Sequence, residues 1–319
     1  MAVALISGIT GQDGSFLAQQ LLEQGWTVVG LVRRSATTNW WRIAHLVDQL
    51  ILEEADLLDM ASLTQVMRTH QPSHIYNLAA MSNVSTSWKM PILTAEVNAL
   101  GVAKMLEAMR IACPEARFYQ ASSSEMFGLA QHSPQDERTP FYPRSPYGIA
   151  KVYAHQLTVN YRESHGLFAV SGILFNHESE RRSDEFVTRK ITKSVARISR
   201  GSQEKLKLGA LRVRRDWGFA GDYTWAMRLM LSQEKARDYV IGTGVSWSVI
   251  DFLQRAFGLV GLNWEDHVVH DPSLLRPAEI PVLCGNAARA RRELGWAPSI
   301  DFEQLVERMV RADIDRLGE

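Results

Sequence analysis

The stretch AVALISGITGQDG, residues 2–14, decides the fold of this chain. Its first half, residues 2–7, is a continuous apolar run bounded by glycine, which is typical of a parallel strand buried on both faces. Residues 15–24 place phenylalanine and leucine at helical spacing, with Gly25 as the expected C-cap, and residues 27–32 predict a second strand. Strand, glycine-rich turn, helix and strand within about 30 residues constitute a βαβ unit.

Three glycines stand between the first strand and the helix: Gly8, Gly11 and Gly14, in the string GITGQDG. The first allows a tight turn, the second removes a side chain where a pyrophosphate must approach, and the third lets the helix pack closely on the strand. The free N–H groups and the positive dipole end of the helix then face the phosphates. We therefore expect a dinucleotide here; the alternative is a plain strand–helix turn.

The residues after the second strand indicate which dinucleotide is bound. A site selective for NAD usually has Asp or Glu at this point, to bind the ribose 2′-hydroxyl. Arg33, Arg34 and Ser35 stand there instead, and arginines favour the 2′-phosphate of NADP through charge-assisted contacts. The alternative is a pair of surface arginines. Asp56 and Leu57, at the end of the third strand, are candidates for contacts with the adenine.

The alternation of strands and helices continues through the first half of the chain. Further strands are predicted over 74–78, 117–121 and 168–174, and helices over 98–110 and 147–163. Repeated βα units predict an α/β fold with a Rossmann-type, doubly wound parallel sheet.

The sequence changes character at the polar segment NHESERRSD, residues 176–184. Beyond it, helical stretches, short strands and aromatic-rich loops mix without clear alternation. We expect residues 1–175 to form the NADP-binding domain and residues 176–319 a smaller α/β domain for the substrate, with elements at about 220–245 returning to the main sheet. The charged amphipathic stretch 302–317 is expected to be a solvated surface helix.

Composition argues against several classes of protein. Lys plus Arg and Asp plus Glu both number 35 among 319 residues, so we expect no nucleic-acid partner and no anionic membrane partner. No apolar run reaches the roughly 18 residues that span a bilayer, and the amino terminus has no basic leader. Cys113 and Cys284 fit neither a metal site nor a disulfide framework, so we expect no metal and a reducing, cytoplasmic setting.

The chemistry is indicated by Tyr147 and Lys151, which stand at i and i+4 and share one helix face. A nearby ammonium favours the phenolate, so Lys151 is expected to lower the pKa of Tyr147 and let it exchange a proton with a hydroxyl or ketone near neutral pH. The strand before this helix ends in SSSE, residues 122–125. Together with the glycine-rich turn, this combination resembles the extended type of the short-chain dehydrogenase/reductase superfamily.

Longer strings narrow the resemblance. They occur in order from residue 3 to about residue 313 and so cover nearly the whole chain. The chain resembles the GDP-mannose 4,6-dehydratase family in the strings ISGITGQDGSFLA, NLAAMS, FYQASSSEMFG, TPFYPRSPYGIAKVYAH, GILFNHES, FVTRKIT, RRDWGFAGDY, RPAE and LGWAP.

The resemblance implies a site, residue by residue. Ser123, Glu125, Tyr147 and Lys151 match the catalytic set of the family. Positions that match cofactor contacts are Gly8, Ile9, Thr10, Gly11, Gln12, Asp13, Asp56, Leu57, Leu78, Ala79, Ala80, Ser82, Tyr147, Lys151, His177 and Arg182. Positions expected near the GDP-sugar are Ser82, Ser123, Glu125, Asn176, Lys190, Arg215, Arg276 and Glu279.

The resemblance also implies a reaction on GDP-mannose. Tyr147 takes the proton of the C4 hydroxyl while NADP takes the C4 hydride, and Ser123 steadies O4. Glu125 then removes the C5 proton and helps the C6 hydroxyl leave as water, after which the hydride returns to C6. Two other possibilities stay open: a 4-ketoreductase or epimerase of a related nucleotide sugar, and a non-catalytic NADP-sensing protein. The family suggests a homodimer or homotetramer.

Some positions differ from the usual pattern of the family. They are Met81, Leu93, Glu180, Ser183, residues 210–214 and Pro281. Most are expected near the sugar-nucleotide pocket, so they leave the catalytic chemistry intact and the identity of the sugar and base open. Trp40 and Trp41, close to the arginine pair, fit either a subunit contact or a local packing cluster.

Overall fold

The computed structural model describes residues 2–37 and 39–318. Within them the strands are β1 (Val3–Ser7), β2 (Thr27–Val32), β3 (Ile51–Glu54), β4 (His74–Asn77), β5 (Arg117–Ser123), β6 (Phe168–Leu174), β7 (Asn176–Glu178), β8 (Leu206–Leu208), β9 (Arg214–Arg215), β10 (Trp217–Phe219), β11 (Tyr239–Ile241), β12 (Trp247–Ser248), β13 (Val268–His270) and β14 (Val282–Leu283). The helices are α1 (Gln12–Leu22), α2 (Met60–His70), α3 (Val84–Lys89), α4 (Pro91–Ala95), α5 (Gly101–Ala112), α6 (Pro146–His165), α7 (Val187–Ser199), α8 (Ala220–Leu231), α9 (Val249–Gly258), α10 (Ala288–Leu294) and α11 (Phe302–Arg316).

Seven strands form one parallel sheet in the order β11-β6-β5-β4-β1-β2-β3, which confirms the predicted Rossmann-type fold. The strands β1 and β4 are neighbours although β2 and β3 lie between them in the chain, so the strand order reverses at this point. In doubly wound folds, ligands bind beyond the carboxyl ends of the strands at such a reversal. The topology therefore places a ligand crevice at the ends of β1 and β4.

Alternate side chains of the central strands face opposite sides of this sheet. In β1, Ile6 packs with helices α1 and α8, whereas its neighbour Leu5 packs with α2, α5 and α6. Both side chains are fully buried. A strand covered on both faces has no solvent-facing positions, which explains the continuous apolar run in the sequence.

The segment after β6 mainly builds three small sheets beside the large one. They pair β7 with β10, join β12, β9 and β14, and pair β8 with β13. A separate hydrophobic cluster of α7, α9 and α11 surrounds Trp217 and Phe252. The prediction of a solvated surface helix at the carboxyl end is wrong for one face of α11, because Leu305 and Met309 are buried in this cluster.

The predicted element bounds differ from the structure mainly at helix starts. Strands β2 and β6 have the predicted bounds. Helix α1 begins at Gln12 rather than at residue 15, because the glycine turn closes early and Gly11 is already the N-cap. The helix predicted over 98–110 is π-helical up to Leu100 and α-helical only from Gly101.

Candidate active site

The glycine-rich turn after β1 is built for close contact. Gly8 has a φ of +73°, in the left-handed region that favours glycine. A Cβ at Gly8 would lie 2.8 Å from the backbone nitrogen of Ala79, and a Cβ at Gly14 would lie 2.3 Å from the carbonyl oxygen of Gly8. Gly11 is the N-cap of α1 and offers no side-chain cap. The turn thus leaves the start of α1 without a side-chain cap, as a pyrophosphate site requires.

Two residues of this turn bind the segment that follows β6. Gln12 is buried; its Nε2 donates to the carbonyl oxygen of His177 at 3.1 Å, and its Oε1 accepts from Ser179 at 2.8 Å. Asp13 places Oδ2 2.8 Å from Nε2 of His177. The sequence predicts that Gln12, Asp13 and His177 contact the cofactor, and in the structure these three residues contact one another.

Asp13 and His177 each favour the charged form of the other. The other ring nitrogen of His177, Nδ1, lies 2.8 Å from the carbonyl oxygen of Phe175, so both nitrogens face oxygens that only accept. Burial disfavours the imidazolium, but Asp13 and the Phe175 carbonyl outweigh it, and the pKa of His177 is raised above its ordinary 6.5. Burial likewise disfavours the carboxylate, but His177 holds the pKa of Asp13 below its ordinary value. The imidazolium is therefore the form that the site stabilises.

The end of β5 carries the Ser–x–Glu motif. Ser123 is the last residue of the strand, and its Oγ accepts from the N–H of Glu125 at 3.2 Å, so that the chain enters a short 3₁₀ turn. Glu125 is buried, with 9% of the residue exposed. Its Oε1 lies 3.7 Å from Nη1 of Arg276, which lines the same cavity. The motif thus presents one hydroxyl and one carboxylate at the carboxyl edge of the sheet.

Helix α6 supplies the tyrosine and the lysine. It starts with Pro146 in the first turn, and the Oγ of Ser145 accepts from the N–H of Gly148 at 3.0 Å as an N-cap. Tyr147 and Lys151 are both buried on one face of the helix. The ammonium of Lys151 lies 5.7 Å from the ring centre of Tyr147, so the predicted i, i+4 pairing is present.

The expected effect of Lys151 on the tyrosine is wrong in this structure. Burial raises the pKa of Tyr147 to about 12, with the hydrogen bond to Ser123 acting in the opposite direction. The ammonium donates to the carbonyl oxygen of Ala121 at 2.8 Å, and burial lowers the pKa of Lys151 to about 8. Burial therefore dominates the pKa of Tyr147, and the phenol is protonated near neutral pH.

One cavity of about 360 Å³ brings most of the predicted site residues together. The predicted residues that line it are Asp13, Leu78, Ala80, Ser82, Ser123, Glu125, Tyr147, Lys151, Asn176, His177, Arg182, Lys190, Arg215, Arg276 and Glu279. The cavity thus contains the whole proposed catalytic set and every residue expected near the sugar nucleotide.

Other predicted residues lie outside the lining of this cavity. They are Gly8, Ile9, Thr10, Gly11, Gln12, Gly14, Arg33, Arg34, Ser35, Asp56, Leu57 and Ala79. Arg33 and Arg34 are exposed immediately after β2, as a contact with a 2′-phosphate would require. Leu57 is buried against α5, and Asp56 accepts from the N–H of Leu58 at 2.9 Å. Leu57 therefore packs in the core instead of facing this cavity.

Arg215 and Arg276 place two guanidinium groups in the cavity lining. Arg215 is 6% exposed, and its Nη1 donates to the carbonyl oxygen of Ile280 at 2.9 Å, which fixes the guanidinium. Arg276 lies between two carboxylates, 3.7 Å from Glu125 and 4.0 Å from Glu279. These guanidinium groups suit a diphosphate, since arginine binds phosphate oxygens through paired N–H donors.

The segment 179–185, which we call the arginine loop, is held by residues that the sequence analysis missed. Arg42 donates to the carbonyl oxygens of Arg181 at 2.6 Å and of Thr10 at 3.3 Å, and so ties the loop to the glycine turn. Arg308 of α11 makes two hydrogen bonds, at 2.8 and 2.9 Å, to the carboxylate of Glu180. No local pattern links these positions, because the partners are far apart in the chain.

The positions that depart from the family pattern occupy different surroundings. Ala210 and Val213 line the cavity. Glu180 faces Arg308, and Ser183 accepts from Arg42 at 3.0 Å. Other departures with side chains away from the cavity lining are Met81, Leu93, Leu211, Arg212, Arg214 and Pro281. Only Ala210 and Val213 thus alter the cavity surface directly.

The tryptophan pair is a local packing cluster in this chain. The ring of Trp41 lies 4.4 Å from the guanidinium of Arg42 and 5.2 Å from that of Arg316. Trp40 is partly buried and packs against the core on the α1 side of the sheet. A subunit contact through the 44% of Trp41 that is exposed stays a prediction.

Neither a metal-binding cluster nor a membrane-spanning helix is present in residues 2–37 and 39–318. Within these ranges, no three His, Cys, Asp or Glu side chains lie close enough together to hold a metal ion. Within the same part of the chain, no helix has the length and apolar character needed to cross a membrane.

A doubly wound sheet that places a tyrosine–lysine pair beside a dinucleotide turn is the arrangement of the short-chain dehydrogenases/reductases, and the small sheets after β6 are those of the extended type. Family comparison is more specific. The family model described as GDP-mannose 4,6 dehydratase matches residues 5–309, and the chain belongs to that family.

Individual relatives agree with this assignment. The chain is 50% identical over 325 residues to GDP-mannose 4,6 dehydratase 1 of Arabidopsis thaliana, across 98% of this chain and 90% of that protein. It is 44% identical over 350 residues to GDP-mannose 4,6-dehydratase of Vibrio cholerae, across 98% and 94% of the two chains. The fold is shared with the crystal structure of dTDP-glucose 4,6-dehydratase from Bacillus anthracis in complex with NAD, with a TM-score of 0.86, 20% identity, and coverage of 98% and 96%.

Proposed function

We propose that this enzyme converts GDP-D-mannose to GDP-4-keto-6-deoxy-D-mannose and water, with NADP reduced and reoxidised within one turnover. The observation that supports this proposal most directly is the single cavity that Ser123, Glu125, Tyr147 and Lys151 all line. A simple ketone reductase needs no carboxylate base at that place. A buried Glu125 beside the tyrosine therefore favours dehydration over the alternative 4-ketoreductase or epimerase activity.

The residues of the glycine turn fit a nicotinamide dinucleotide, because Gly8 and Gly14 have no room for a Cβ and the N-cap residue Gly11 provides no side-chain cap in the place of a pyrophosphate. A dinucleotide held by this turn would supply the hydride acceptor for C4 and the hydride donor for C6. We propose NADP rather than NAD on the basis of Arg33 and Arg34. Both are exposed after β2, and within residues 2–37 and 39–318 no carboxylate forms an ion pair with either one.

The first step is removal of the C4 hydroxyl proton. Tyr147 accepts this proton, and Ser123 hydrogen-bonds O4 as negative charge develops there. Burial raises the pKa of Tyr147 to about 12, so the phenolate needs positive charge nearby. The ammonium of Lys151 supplies one such charge at 5.7 Å from the ring centre.

The second step is elimination of water. The C4 ketone acidifies the C5 hydrogen, and the Glu125 carboxylate removes it as a proton. Glu125 passes the proton to the C6 hydroxyl as the C6–O bond breaks, so that one water leaves. C5 then regains a proton from Tyr147, which balances the proton that Tyr147 took from O4. Arg276, 3.7 Å from Glu125, positions the carboxylate for both transfers.

The proposal is tested by incubating the purified protein with GDP-mannose, without added cofactor, and following the product by mass. A product lighter by one water supports the dehydratase. Dependence on added NADPH, with net oxidation of it, indicates the reductase instead, and an isomer of unchanged mass indicates an epimerase. The variant Glu125→Gln should allow C4 oxidation but no loss of water, so reduced cofactor accumulates; water loss at the wild-type rate refutes the assignment of the base.

We also propose that the chain assembles as a homodimer or homotetramer. Trp88, Ile92, Leu100, Ile149 and Tyr153 are 37–73% exposed and lie on α3, α4, the π-helical segment and α6, which pack side by side. Exposed apolar patches on adjacent elements are typical of association surfaces. Sedimentation should show an oligomer that Ile149→Glu dissociates and that Ile111→Glu, an exposed position on α5, leaves intact. A monomeric wild-type protein contradicts the proposal.

A further inference from the structure

A row of polar side chains crosses the central strands of the sheet below the cavity. Ser7 of β1 is opposite Asn77 of β4, and Asn77 is opposite Gln120 of β5. Because parallel strands in register point equivalent side chains to the same face, all three face the side covered by α6. Each is only 1% exposed. A polar group buried this deeply is destabilising unless it is hydrogen-bonded, so the partners of this row identify its purpose.

The row forms a continuous chain of hydrogen bonds that starts at the cofactor side. The Oγ of Ser7 accepts from the N–H groups of Leu78 and Ala79, both at 3.1 Å. Ser7 then donates to Oδ1 of Asn77 at 2.7 Å, and Nδ2 of Asn77 donates to Oε1 of Gln120 at 2.8 Å. These hydrogen bonds all run in one direction, from the N–H groups of Leu78 and Ala79 towards Gln120.

The chain ends at the lysine of the site. Nε2 of Gln120 donates to the carbonyl oxygen of Ala121 at 3.0 Å, and the ammonium of Lys151 donates to the same oxygen at 2.8 Å. A carbonyl oxygen has two lone pairs, so it can accept from the Gln120 amide and the Lys151 ammonium at the same time. The position of the Ala121 carbonyl therefore determines where the Lys151 ammonium lies, and Gln120 holds that carbonyl from the other side.

We infer that Asn77 and Gln120 are positioning residues that hold the Lys151 ammonium, through the Ala121 carbonyl, in a fixed place relative to the strand end at Leu78. Leu78 and Lys151 both line the cavity, whereas Asn77 and Gln120 do not. The row thus connects the part of the site that faces the cofactor with the part that moves the proton. The inference rests on the proposed dehydratase function and deepens it.

The effect of a break in the row is expected on chemistry rather than on substrate binding. Gln120→Met keeps a side chain of similar length but removes both the acceptor for Asn77 and the donor to Ala121. The ammonium then has an acceptor held from one side only. Displacement of a catalytic group by a fraction of an ångström up to 1 Å lowers the rate by about 10- to 100-fold. Arg215, which is expected near the sugar nucleotide, keeps its hydrogen bond to the carbonyl oxygen of Ile280.

The neighbouring strand offers a matched control. Ser171 of β6 is the register partner of Gln120, is fully buried and points to the same face. Its Oγ has no hydrogen-bond partner within residues 2–37 and 39–318. Ser171→Ala therefore alters the same polar row without touching the chain of hydrogen bonds that leads to Lys151. It controls for the general effect of a substitution in this layer of the core.

The experiment measures kcat and KM for GDP-mannose on the folded, cofactor-loaded enzyme, with kcat expressed per bound cofactor. Gln120→Met is expected to lower kcat about 10- to 100-fold and leave KM within about twofold, while Ser171→Ala keeps both values. A purely structural role lowers the melting temperature but leaves kcat per bound cofactor at the wild-type value, and that result overturns the inference.

Two further results complete the test. If Gln120→Met yields no folded protein, Asn77→Leu decides by the same kcat criterion, because it keeps a side chain of similar size but removes the donor that holds Oε1 of Gln120. Wild-type kcat in Asn77→Leu overturns the inference. If the wild-type enzyme itself does not convert GDP-mannose, the proposed function fails, and this outcome is distinct from an active wild type with an equally active Gln120→Met.

Discussion

Replacement of Asp13 with Asn tests the ion pair that joins the phosphate-binding helix α1 to β7. In the wild type, Oδ2 of Asp13 lies 2.8 Å from Nε2 of His177, and the two side chains are only 20% and 12% exposed. The variant keeps the size of the side chain and one hydrogen bond but removes the negative charge. Without Asp13, burial dominates, so we expect the pKa of His177 to fall below its ordinary 6.5.

The magnitude follows from the burial of the pair. Removal of one partner of a buried ion pair costs about 3–5 kcal/mol. The remaining hydrogen bond and the neutralisation of His177 reduce the expected cost to about 2–3 kcal/mol. A chain of 319 residues has an entropy of unfolding of about 0.7 kcal/mol/K, so the melting temperature should fall by about 3–4 °C.

This decrease should depend on pH in a direction that the two pKa shifts determine. Because the pKa of His177 is raised, its contribution to stability is complete below the ordinary 6.5 and is lost as the pH rises through the folded value. Because the pKa of Asp13 is lowered, its contribution is present above 3.8 and is lost as the pH falls through the folded value. Wild type and variant should therefore differ most at about pH 5–6 and less at higher pH.

Thermal unfolding of the cofactor-free protein between about pH 5 and 9 measures this difference. The matched control is Asp238→Asn, because Asp238 pairs with Arg162 at 2.8 Å with similar burial, 15% and 18% exposed. Arginine does not titrate in this range, so the control should lose the same stability at every pH. If Asp13→Asn also shows a deficit independent of pH, His177 is not an imidazolium and the reasoning is refuted.

Three other substitutions test the site. Gly14→Ala should abolish cofactor retention on gel filtration, because its Cβ would lie 2.3 Å from the Gly8 carbonyl oxygen. The control is Gly258→Ala, whose Cβ would have no other atom within 4 Å. Full cofactor retention by Gly14→Ala contradicts the prediction. Arg308→Leu should weaken cofactor binding several-fold in titrations by releasing Glu180, at a cost of about 1 kcal/mol. Arg311→Leu breaks the surface pair of Arg311 with Glu307 on the same helix and should not weaken cofactor binding. Equal effects of the two variants contradict the proposed connection between the Arg308–Glu180 pair and the cofactor site. Tyr147→Phe should lower kcat at least about 100-fold with cofactor still bound; normal turnover excludes Tyr147 as the proton acceptor.

The features predicted best from the sequence are those that local patterns determine. Strand β6 was predicted with its observed bounds because a strand buried on both faces is apolar throughout and ends where polar residues begin. The Tyr147–Lys151 pairing follows from helical spacing alone. The placement of Ser123 and Glu125 beside them follows from topology, since the ends of parallel strands and the starts of the following helices meet at one edge of the sheet.

The features that sequence patterns missed depend on residues far apart in the chain. Asp13 and His177 are separated by 164 residues, and Glu180 and Arg308 by 128. No periodicity brings such partners together, because the contact exists only after the large sheet and the small sheets pack. The predicted decrease in the pKa of Tyr147 is wrong for a related reason. The spacing to Lys151 is visible in the sequence, whereas the burial that raises the pKa is not.

The structure also separates two kinds of departure from the family pattern. Glu180 lies in the arginine loop, which reaches the cavity through Arg182, but its carboxylate binds Arg308 of α11. A change at Glu180 therefore acts on how firmly the loop is held. Ala210 and Val213, in contrast, belong to the cavity lining. We therefore expect a change in the preferred sugar or base to depend more on these two lining positions than on Glu180.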